Sequence, residues 1–266
     1  MNQKREVLLK KQRVNYYADE LNDEFSTARI KAKRIDGHYA YASYSLGGRL
    51  AHFFWYRIVA MPIAWFYTKC KFRHRIVGED RLHSYRRKGY FLYGNHTQDI
   101  GDAFIPNMLQ KCQDKYFIVH PSNVSIPLIG ALTPHLGAIP LPDDRAAYRN
   151  FRCALEKRLN AGAAIVIYPE AHIWPYYTKI RPFGDDAFYY PVKYDVPVFC
   201  FTNTYQRQGL RRTPQIVTYV DGPFFPDKCL PAHLRRKALR DLVHATMTER
   251  AKKSNMIVIK YIKKEE

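Results

Sequence analysis

The chain has few cysteines, and they follow no pattern. Its five cysteines are odd in number and widely scattered, and no two of them form a C-x-x-C pair. This spacing excludes a disulfide framework, gives no zinc-binding motif and is typical of a reducing compartment. We therefore expect no metal site.

Acidic residues are also scarce. The 266 residues include 24 Asp and Glu against 43 Lys and Arg, which gives a formal net charge of +19. Such a chain prefers anionic partners: nucleic acid, an acidic membrane surface or an acidic protein. It contains no recognisable RNA- or DNA-binding motif and its cations are spread along the chain, so we expect no nucleic-acid partner. A basic nucleic-acid-binding protein is the least favoured alternative.

A long uninterrupted apolar run is lacking too. Charged residues follow the first methionine, so the chain opens with no signal peptide and we expect a cytoplasmic location. The most apolar stretch, 50–69, is close to the roughly 20 residues of a membrane span. However, Arg57 and Pro62 lie near its centre. A central arginine costs at least about 2.5 kcal/mol of insertion free energy, which disfavours a span.

The same stretch suits a membrane surface better. Its aromatic clusters, Phe53–Tyr56 and Trp65–Tyr67, are followed by the cations Lys69, Lys71 and Arg73. Aromatic rings and cations hold an amphipathic helix in the interface of a membrane that carries anionic lipids. We predict such a helix over 49–72. A helix buried against the domain and a true span are the alternatives.

Three regions differ in composition. Residues 1–48 form a charged arm and a Tyr/Gly/Ser-rich linker, and residues 1 to about 36 are predicted to be a helical arm that is exposed or depends on a partner. The membrane-interface helix, 49–72, comes next. In 73–266, short apolar strands alternate with helices, which predicts an α/β fold with a mixed, mostly parallel central sheet flanked by helices. The predicted strands are Phe91–Tyr93, Tyr116–Val119, Ala163–Tyr168, Val196–Phe201 and Ile216–Tyr219, and helices are predicted to begin at Asp143/Asp144 and at Pro231.

A histidine and two carboxylates follow the first of these strands, in Asn95-His-Thr-Gln-Asp-Ile-Gly-Asp102. A nearby carboxylate can fix the tautomer of His96 and strengthen it as a base. Asp99 is its partner if the segment is helical, and Asp102 is its partner if Gly101 allows a tight turn through a positive φ. On its own, such a cluster is more often a turn with satisfied side chains.

Two later segments place charged groups at the ends of predicted elements. The Gly/Pro-rich loop 137–144 delivers Arg145 to a helix start, where a guanidinium and helix N–H groups suit phosphate. A second apolar strand ends at Glu170, a position from which a carboxylate can enter a site at the sheet edge. Lys179 and Arg181 bring two further cations to the same region.

In their order these segments resemble the glycerolipid acyltransferase family, that of the 1-acylglycerol-3-phosphate acyltransferases. The resemblance covers about 73–225, and four blocks in sequence are not expected by chance. The blocks, with the family pattern after each, are Asn95-His96…Asp102 (Asn-His-x4-Asp), Gly137-Ala-Ile…Arg145 (Gly-x-Ile…Arg), Tyr168-Pro-Glu-Ala171 (Phe-Pro-Glu-Gly) and Val196-Pro-Val198 (Val-Pro-Ile/Val).

The chain departs from the family pattern in three places. One extra residue separates His96 from Asp102, and Arg145 comes two positions later than usual. In the third block the family's Gly-Thr-Arg is replaced by Ala-His-Ile, 171–173, which removes a phosphate-binding arginine. We expect Lys179 or Arg181 to compensate, or the acceptor headgroup to differ.

The resemblance implies direct acyl transfer from an acyl carrier protein or coenzyme A thioester to the hydroxyl of a lysophospholipid, without a cofactor. It favours 1-acylglycerol-3-phosphate as acceptor and phosphatidic acid as product, at the cytoplasmic face of the membrane with a peripheral or monotopic attachment. The alternative is an acyltransferase-like membrane-surface protein that has lost catalysis. The implied general base is His96, oriented by Asp102, and the implied substrate-binding residues are Asn95, Arg145, Glu170, Lys179 and Arg181.

Overall fold

A seven-stranded sheet lies at the centre of the computed structural model, which describes residues 13–26, 30–41 and 45–264. The strand order is β2-β8-β7-β3-β6-β4-β5, and β2 and β8 run opposite to the other five. The predicted mixed, mostly parallel sheet is therefore confirmed. The strands are β2 (Arg75–Val77), β3 (Tyr90–Gly94), β4 (Lys115–Val119), β5 (Ala138–Pro140), β6 (Ala164–Ile167), β7 (Val198–Gln206) and β8 (Gln215–Phe224).

The central strand β3 is buried along its whole length. It lies between β6 and β7, and Tyr93 is in register with Ile167 and Cys200. Parallel strands covered on both faces need near-continuous apolar sequences, which is why these segments were recognisable from sequence. Because the three strands are parallel, the residues after β3 and β6 meet at one edge of the sheet, the carboxyl edge.

Helices cover both faces of the sheet. One core contains apolar side chains of the helices Arg145–Asn160 and Ala232–Ala251 packed against β3, among them Phe151 and Val243. The other face packs Leu82 and Leu109 against Tyr90. After the long helix α1, which covers 46–71, the helices are α2 (Gly101–Met108), α3 (Arg145–Asn160, capped by Asp144), α4 (Tyr189–Tyr194) and α5 (Ala232–Ala251, preceded by Pro231).

Helix α1 has one side against the domain and one side exposed. Its buried side includes Tyr56 and Ala64, and the Tyr56 hydroxyl donates a hydrogen bond to Asn107 Oδ1 on α2 at 2.5 Å. A helix is thus present where 49–72 was predicted, and its contact with a membrane stays a prediction. The exposed side carries the large apolar residues Leu46, Leu50, Phe53, Phe54, Ile58, Ile63, Trp65 and Phe66.

The geometry of α1 is irregular. Two α-helical stretches alternate with two π-helical stretches, in the order Leu46–His52, Phe53–Ala60, Met61–Phe66 and Tyr67–Lys71. In the part of the chain that the structure describes, no helix combines the length and the apolarity that a membrane crossing requires.

The predicted helical arm over residues 1 to about 36 is wrong where the structure describes it. Strand β1 (Arg13–Tyr17) pairs in parallel with β9 (Ile259–Lys263) in a separate two-stranded sheet. Ile35 is buried in the main core, although the arm was predicted to be exposed or to depend on a partner. The physical reason is tertiary, because a partner strand from the far end of the sequence satisfies the backbone of β1. Residues 1–12 of the predicted arm lie outside the described residues.

Candidate active site

His96 and Asp102 form a hydrogen-bonded pair at the carboxyl edge of the sheet. His96 lies two residues beyond β3, and its Nδ1 is 2.8 Å from Oδ2 of Asp102 in the first turn of α2. The same Oδ2 accepts a hydrogen bond from the Gln98 N–H at 2.9 Å. Asp102, and not Asp99, is therefore the carboxylate that faces the imidazole.

A tight turn accommodates the extra residue between the two side chains. The Asp102 N–H donates to the Gln98 carbonyl at 3.1 Å, which closes the turn. The expectation that Gly101 allows this turn through a positive φ is wrong, because its φ is not positive. The turn needs glycine at this position because glycine has no side chain: a Cβ there would be 2.8 Å from Gln98 Cβ.

The carboxylate of Asp102 is almost completely buried, with 3% of its surface exposed. Burial raises the pKa of Asp102, and the hydrogen bond from His96 offsets only part of this effect. A buried carboxylate on Nδ1 holds the imidazole in one orientation and stabilises its protonated form. It also leaves Nε2 as the ring nitrogen that can accept a proton from a substrate.

Tyr168 connects the two members of the pair. Its ring stacks on the His96 ring with a centroid distance of 4.4 Å, and its hydroxyl donates to the Asp102 carbonyl at 2.5 Å. Burial raises the pKa of Tyr168 well above its usual value, so the hydroxyl stays a donor. Sequence reasoning missed this residue, because it used the third block for its carboxylate; the aromatic ring before Pro169 was the available signal.

Glu170 contacts the backbone of His96. Its carboxylate is buried, Oε2 accepts the His96 N–H at 2.9 Å and Oε1 accepts the Arg181 N–H at 2.9 Å. Glu170 therefore fixes the position of the imidazole through the main chain. Its predicted contact with substrate stays a prediction.

Arg181 occupies a different place from the one predicted. The side chain is fully buried, and its Nη atoms donate to the carbonyls of Glu20, Glu170 and His172. Its guanidinium also lies 4.9 Å from the Trp174 ring. A guanidinium so enclosed compensates the buried carboxylate of Glu170 and has no donor turned to solvent, so the expected contact with an acceptor phosphate is wrong for Arg181.

Asn95 is likewise a structural residue. It is buried, its Nδ2 donates to the Asn203 carbonyl at 3.0 Å and its Oδ1 accepts the Asn203 N–H at 2.8 Å. Both polar groups of the amide therefore join the end of β3 to β7. The predicted substrate contact of Asn95 is not compatible with this arrangement.

The network continues away from the site through buried side chains. The Thr218 hydroxyl donates to Asn203 Oδ1 at 2.6 Å, and His74 Nε2 lies 2.8 Å from the same hydroxyl. Because the hydroxyl has one proton, which goes to Asn203, His74 must donate from Nε2. Desolvation lowers the pKa of His74 to about 4, so this histidine is neutral at physiological pH.

The two remaining predicted cations, Arg145 and Lys179, are exposed. Arg145 begins α3 after β5, three strands from β3, which is about 14 Å across the sheet at a spacing of about 4.8 Å. Within the described residues, neither cation forms a hydrogen bond or ion pair with His96 or Asp102. The structure does not bring them together with the pair.

A cleft opens near Arg145, beside the carboxyl ends of β4 and β5. Its volume is about 590 Å³, and Lys33, Arg34 and His120 line it. Arg34 also lies 4.0 Å from Asp144, the residue before Arg145. The cations of the arm therefore join Arg145 at this end of the edge, a juxtaposition that the sequence did not indicate.

The described residues contain no group of three or more His, Cys, Asp or Glu side chains placed to hold a metal ion.

Comparisons with known proteins agree with this geometry. The family model described as Acyltransferase matches residues 73–202, which include β2 to β6, the His96–Asp102 pair and Glu170. The crystal structure of the 1-acyl-sn-glycerophosphate (LPA) acyltransferase PlsC from Thermotoga maritima has a similar fold, with a TM-score of 0.51 and 19% sequence identity. The similarity covers 69% of this chain and 73% of that chain. The matched region and the PlsC-like fold support the resemblance to the glycerolipid acyltransferase family.

A search of curated protein sequences gives no match. The acyltransferase family model matches only part of the structure described above. Helix α1, helix α5 and the β1–β9 sheet lie outside 73–202.

Proposed function

We propose that the protein transfers an acyl group from an acyl carrier protein or coenzyme A thioester to the free hydroxyl of 1-acylglycerol-3-phosphate, giving phosphatidic acid. The observation that carries the proposal is the 2.8 Å contact between His96 Nδ1 and Asp102 Oδ2, at the carboxyl edge of a sheet of the acyltransferase family. The fold similarity to an enzyme described as acting on 1-acyl-sn-glycerophosphate supports the choice of acceptor.

In the proposed reaction, Nε2 of His96 takes the proton of the acceptor hydroxyl as its oxygen attacks the thioester carbonyl carbon. The C–S bond then breaks, and the imidazolium returns the proton to the departing thiolate. Asp102 stabilises the imidazolium through the Nδ1 hydrogen bond. No covalent intermediate with the protein is needed, because a thioester is already activated.

The acceptor phosphate needs cations that are accessible. Arg145 and Lys179 are exposed, and Lys33 and Arg34 line the cleft beside Arg145. We propose these four as the phosphate contacts, since Arg181 is enclosed. A planar guanidinium such as that of Arg145 suits bidentate contact with phosphate oxygens.

The apolar side of α1 supports action at a membrane, where acceptor and product reside. A row of large apolar side chains would enter the interface, and Lys69 and Lys71 at the end of the helix would contact anionic headgroups. We propose that the protein lies on the cytoplasmic face of the membrane.

The direct test is product formation by the wild type and by His96→Ala with lysophosphatidic acid and each thioester. The wild type should form phosphatidic acid, and His96→Ala should lose at least about 10³-fold in kcat, because the base is removed. Wild-type inactivity on every lysolipid tried would favour the non-catalytic scaffold that the altered third block suggests. Full activity of His96→Ala would show that the base is wrongly assigned.

A further inference from the structure

A second cavity lies at the edge of the sheet opposite to His96, the amino edge. Its lining residues Arg87, Asp114 and Ala163 come shortly before β3, β4 and β6, and the amino-terminal half of α1 forms its other wall. Its volume is about 480 Å³. The five residues of β3 separate it from the His96 pair by about 16 Å at about 3.3 Å per residue. The two cavities are therefore distinct.

The lining of this cavity is strongly cationic. Among the described residues that line it, five are arginines and one is an acid, a surplus of four positive charges with His52 counted as neutral. These charges come from four separate chain segments, so the fold gathers them and no local charge run explains them. The charged lining residues are Arg49, Arg57, Arg86, Arg87, Arg158 and Asp114.

Contacts between its side chains fix the floor of the cavity. Arg57 on α1 forms an ion pair with Asp114 and donates to the Cys112 carbonyl at 3.1 Å. Burial opposes ionisation of Asp114, but the hydrogen bond from His52 and the charge of Arg57 outweigh it and lower the pKa. Arg158 lies 4.3 Å over the Tyr116 ring. The floor is thus fixed, and its only acid is committed to Arg57.

The rim is different, because Arg49, Arg86 and Arg87 are exposed. Guanidinium groups present forked donors that match phosphate oxygens. The rim is also apolar on one side: Phe53 lines the cavity with 57% of its surface exposed, and Leu50, three residues earlier on α1, is 60% exposed. A ligand that fits this surface combines a phosphate with a long apolar chain.

The geometry points to a binding site for the phosphate group of an anionic phospholipid in this cavity, separate from the His96 site. The phosphate lies among Arg49, Arg86 and Arg87, and the acyl chains lie along Phe53 and Leu50 on the exposed side of α1. Occupancy of the site holds α1 against a membrane surface. This inference concerns binding alone, so it does not depend on the proposed acyl transfer.

The test compares two variants of the full-length protein in which two adjacent exposed arginines become glutamine. Arg86→Gln/Arg87→Gln removes half of the surplus charge of the cavity. Arg211→Gln/Arg212→Gln is the matched control, because it removes the same charge from the exposed loop between β7 and β8. Binding is measured by cosedimentation with vesicles of phosphatidylcholine alone and with added phosphatidylglycerol, and melting temperatures check that both variants fold.

We expect the cavity variant to bind phosphatidylglycerol vesicles at least about tenfold less tightly than the wild type, since each cation at an anionic membrane contributes about fivefold. The control should bind within about twofold of the wild type. Binding to pure phosphatidylcholine should not distinguish the three proteins. Equal losses in both variants would overturn the inference, because they would indicate diffuse surface charge and no site.

Two further measurements distinguish a phospholipid from a soluble phosphate and from an acidic protein as the ligand of the cavity. Suppose that inorganic phosphate stabilises the wild type but not the cavity variant, and that vesicle binding is unchanged. The cavity then binds a soluble phosphate, and the inference of a phospholipid site is overturned. Unchanged vesicle binding with a raised KM for acyl carrier protein would assign the cavity to an acidic protein, with the same consequence. Weakened vesicle binding with an unchanged KM supports the lipid.

Discussion

The two edges of the central sheet use charge in opposite ways. At the carboxyl edge, Asp102 and Glu170 are buried and each is hydrogen-bonded to the His96 residue. At the amino edge, arginines stand exposed around a cavity with a single acid. Buried and paired groups hold one geometry, as proton transfer requires, whereas exposed cations adapt to a headgroup and act over a longer range. The edges therefore respond differently to mutation, pH and salt.

The largest effect should come from breaking the pair at the carboxyl edge. Asp102→Asn removes the charge that stabilises the imidazolium and should lower kcat by about 10³- to 10⁴-fold. Asp99→Asn, three residues earlier, is the matched control and should keep kcat within about threefold. Steady-state kinetics on the same substrate decides between them, and equal losses would mean that Asp102 is not the orienting group.

Removing the buried countercharge should destabilise the same edge. Arg181→Met leaves the buried carboxylate of Glu170 without its guanidinium and should lower the free energy of unfolding by about 3–5 kcal/mol. Denaturant unfolding measures the change. Lys179→Met, an exposed neighbour, should change it by less than about 0.5 kcal/mol. A small effect of Arg181→Met would place the arginine outside the supporting network.

The buried network that ends at His74 should make stability depend on pH. The pKa of His74 is about 4 in the folded protein and near 6.5 when unfolded, so the unfolded state binds the proton more readily between these values. The free energy of unfolding should fall by about 3 kcal/mol as pH drops from 6.5 to 4. His74→Gln keeps a donor to Thr218 and should remove this part of the slope. An unchanged slope would contradict the assignment.

The raised pKa of Asp102 should make the stability depend on pH in the opposite direction. Its folded-state pKa lies above the usual 3.8, so stability from this group is present below 3.8 and is lost as pH rises through the folded value. The difference in free energy of unfolding between Asp102→Asn and the wild type should therefore shift in favour of the variant as pH rises through that window. Denaturation curves at several pH values test it, and a shift the other way would refute the burial argument.

The smallest effect expected at the carboxyl edge comes from the Tyr168 hydroxyl. Tyr168→Phe keeps the ring stacked on His96 but loses the hydrogen bond to the Asp102 carbonyl, and it should lower kcat by about fivefold, since one such bond contributes about 1 kcal/mol. Tyr168→Leu loses the stacking as well and should be slower still. Equal kcat values for the two variants would show that stacking does not position the imidazole.

The fold was largely predictable because its strongest signals are local. The apolar runs of β3, β4 and β6 and the Asp144 cap of α3 specify their own structure. The pairing of β1 with β9 was not predictable, since it joins the two ends of the chain and neither strand has a strong pattern alone. Helix α1 was predicted, but its packing against α2 depends on tertiary contacts such as that between Tyr56 and Asn107.

At the site, residue types and spacing indicated the chemistry of the site better than they indicated the role of each residue. His96 and Asp102 were assigned because their segment resembles the first family block, and the observed hydrogen bond decides between Asp102 and Asp99. Arg181 and Asn95 were misassigned, since burial beneath Trp174 or against β7 is set by the fold. A charged or polar type alone does not tell whether its donors face a substrate or the main chain.

The most direct test of the separation between the edges measures turnover and vesicle binding on the same preparations of His96→Ala and Arg86→Gln/Arg87→Gln. We expect His96→Ala to lose turnover and to bind phosphatidylglycerol vesicles as the wild type does. The arginine variant should bind weakly and turn over detergent-solubilised substrate at the wild-type rate. Wild-type turnover by His96→Ala would show that the carboxyl edge is not the catalytic edge.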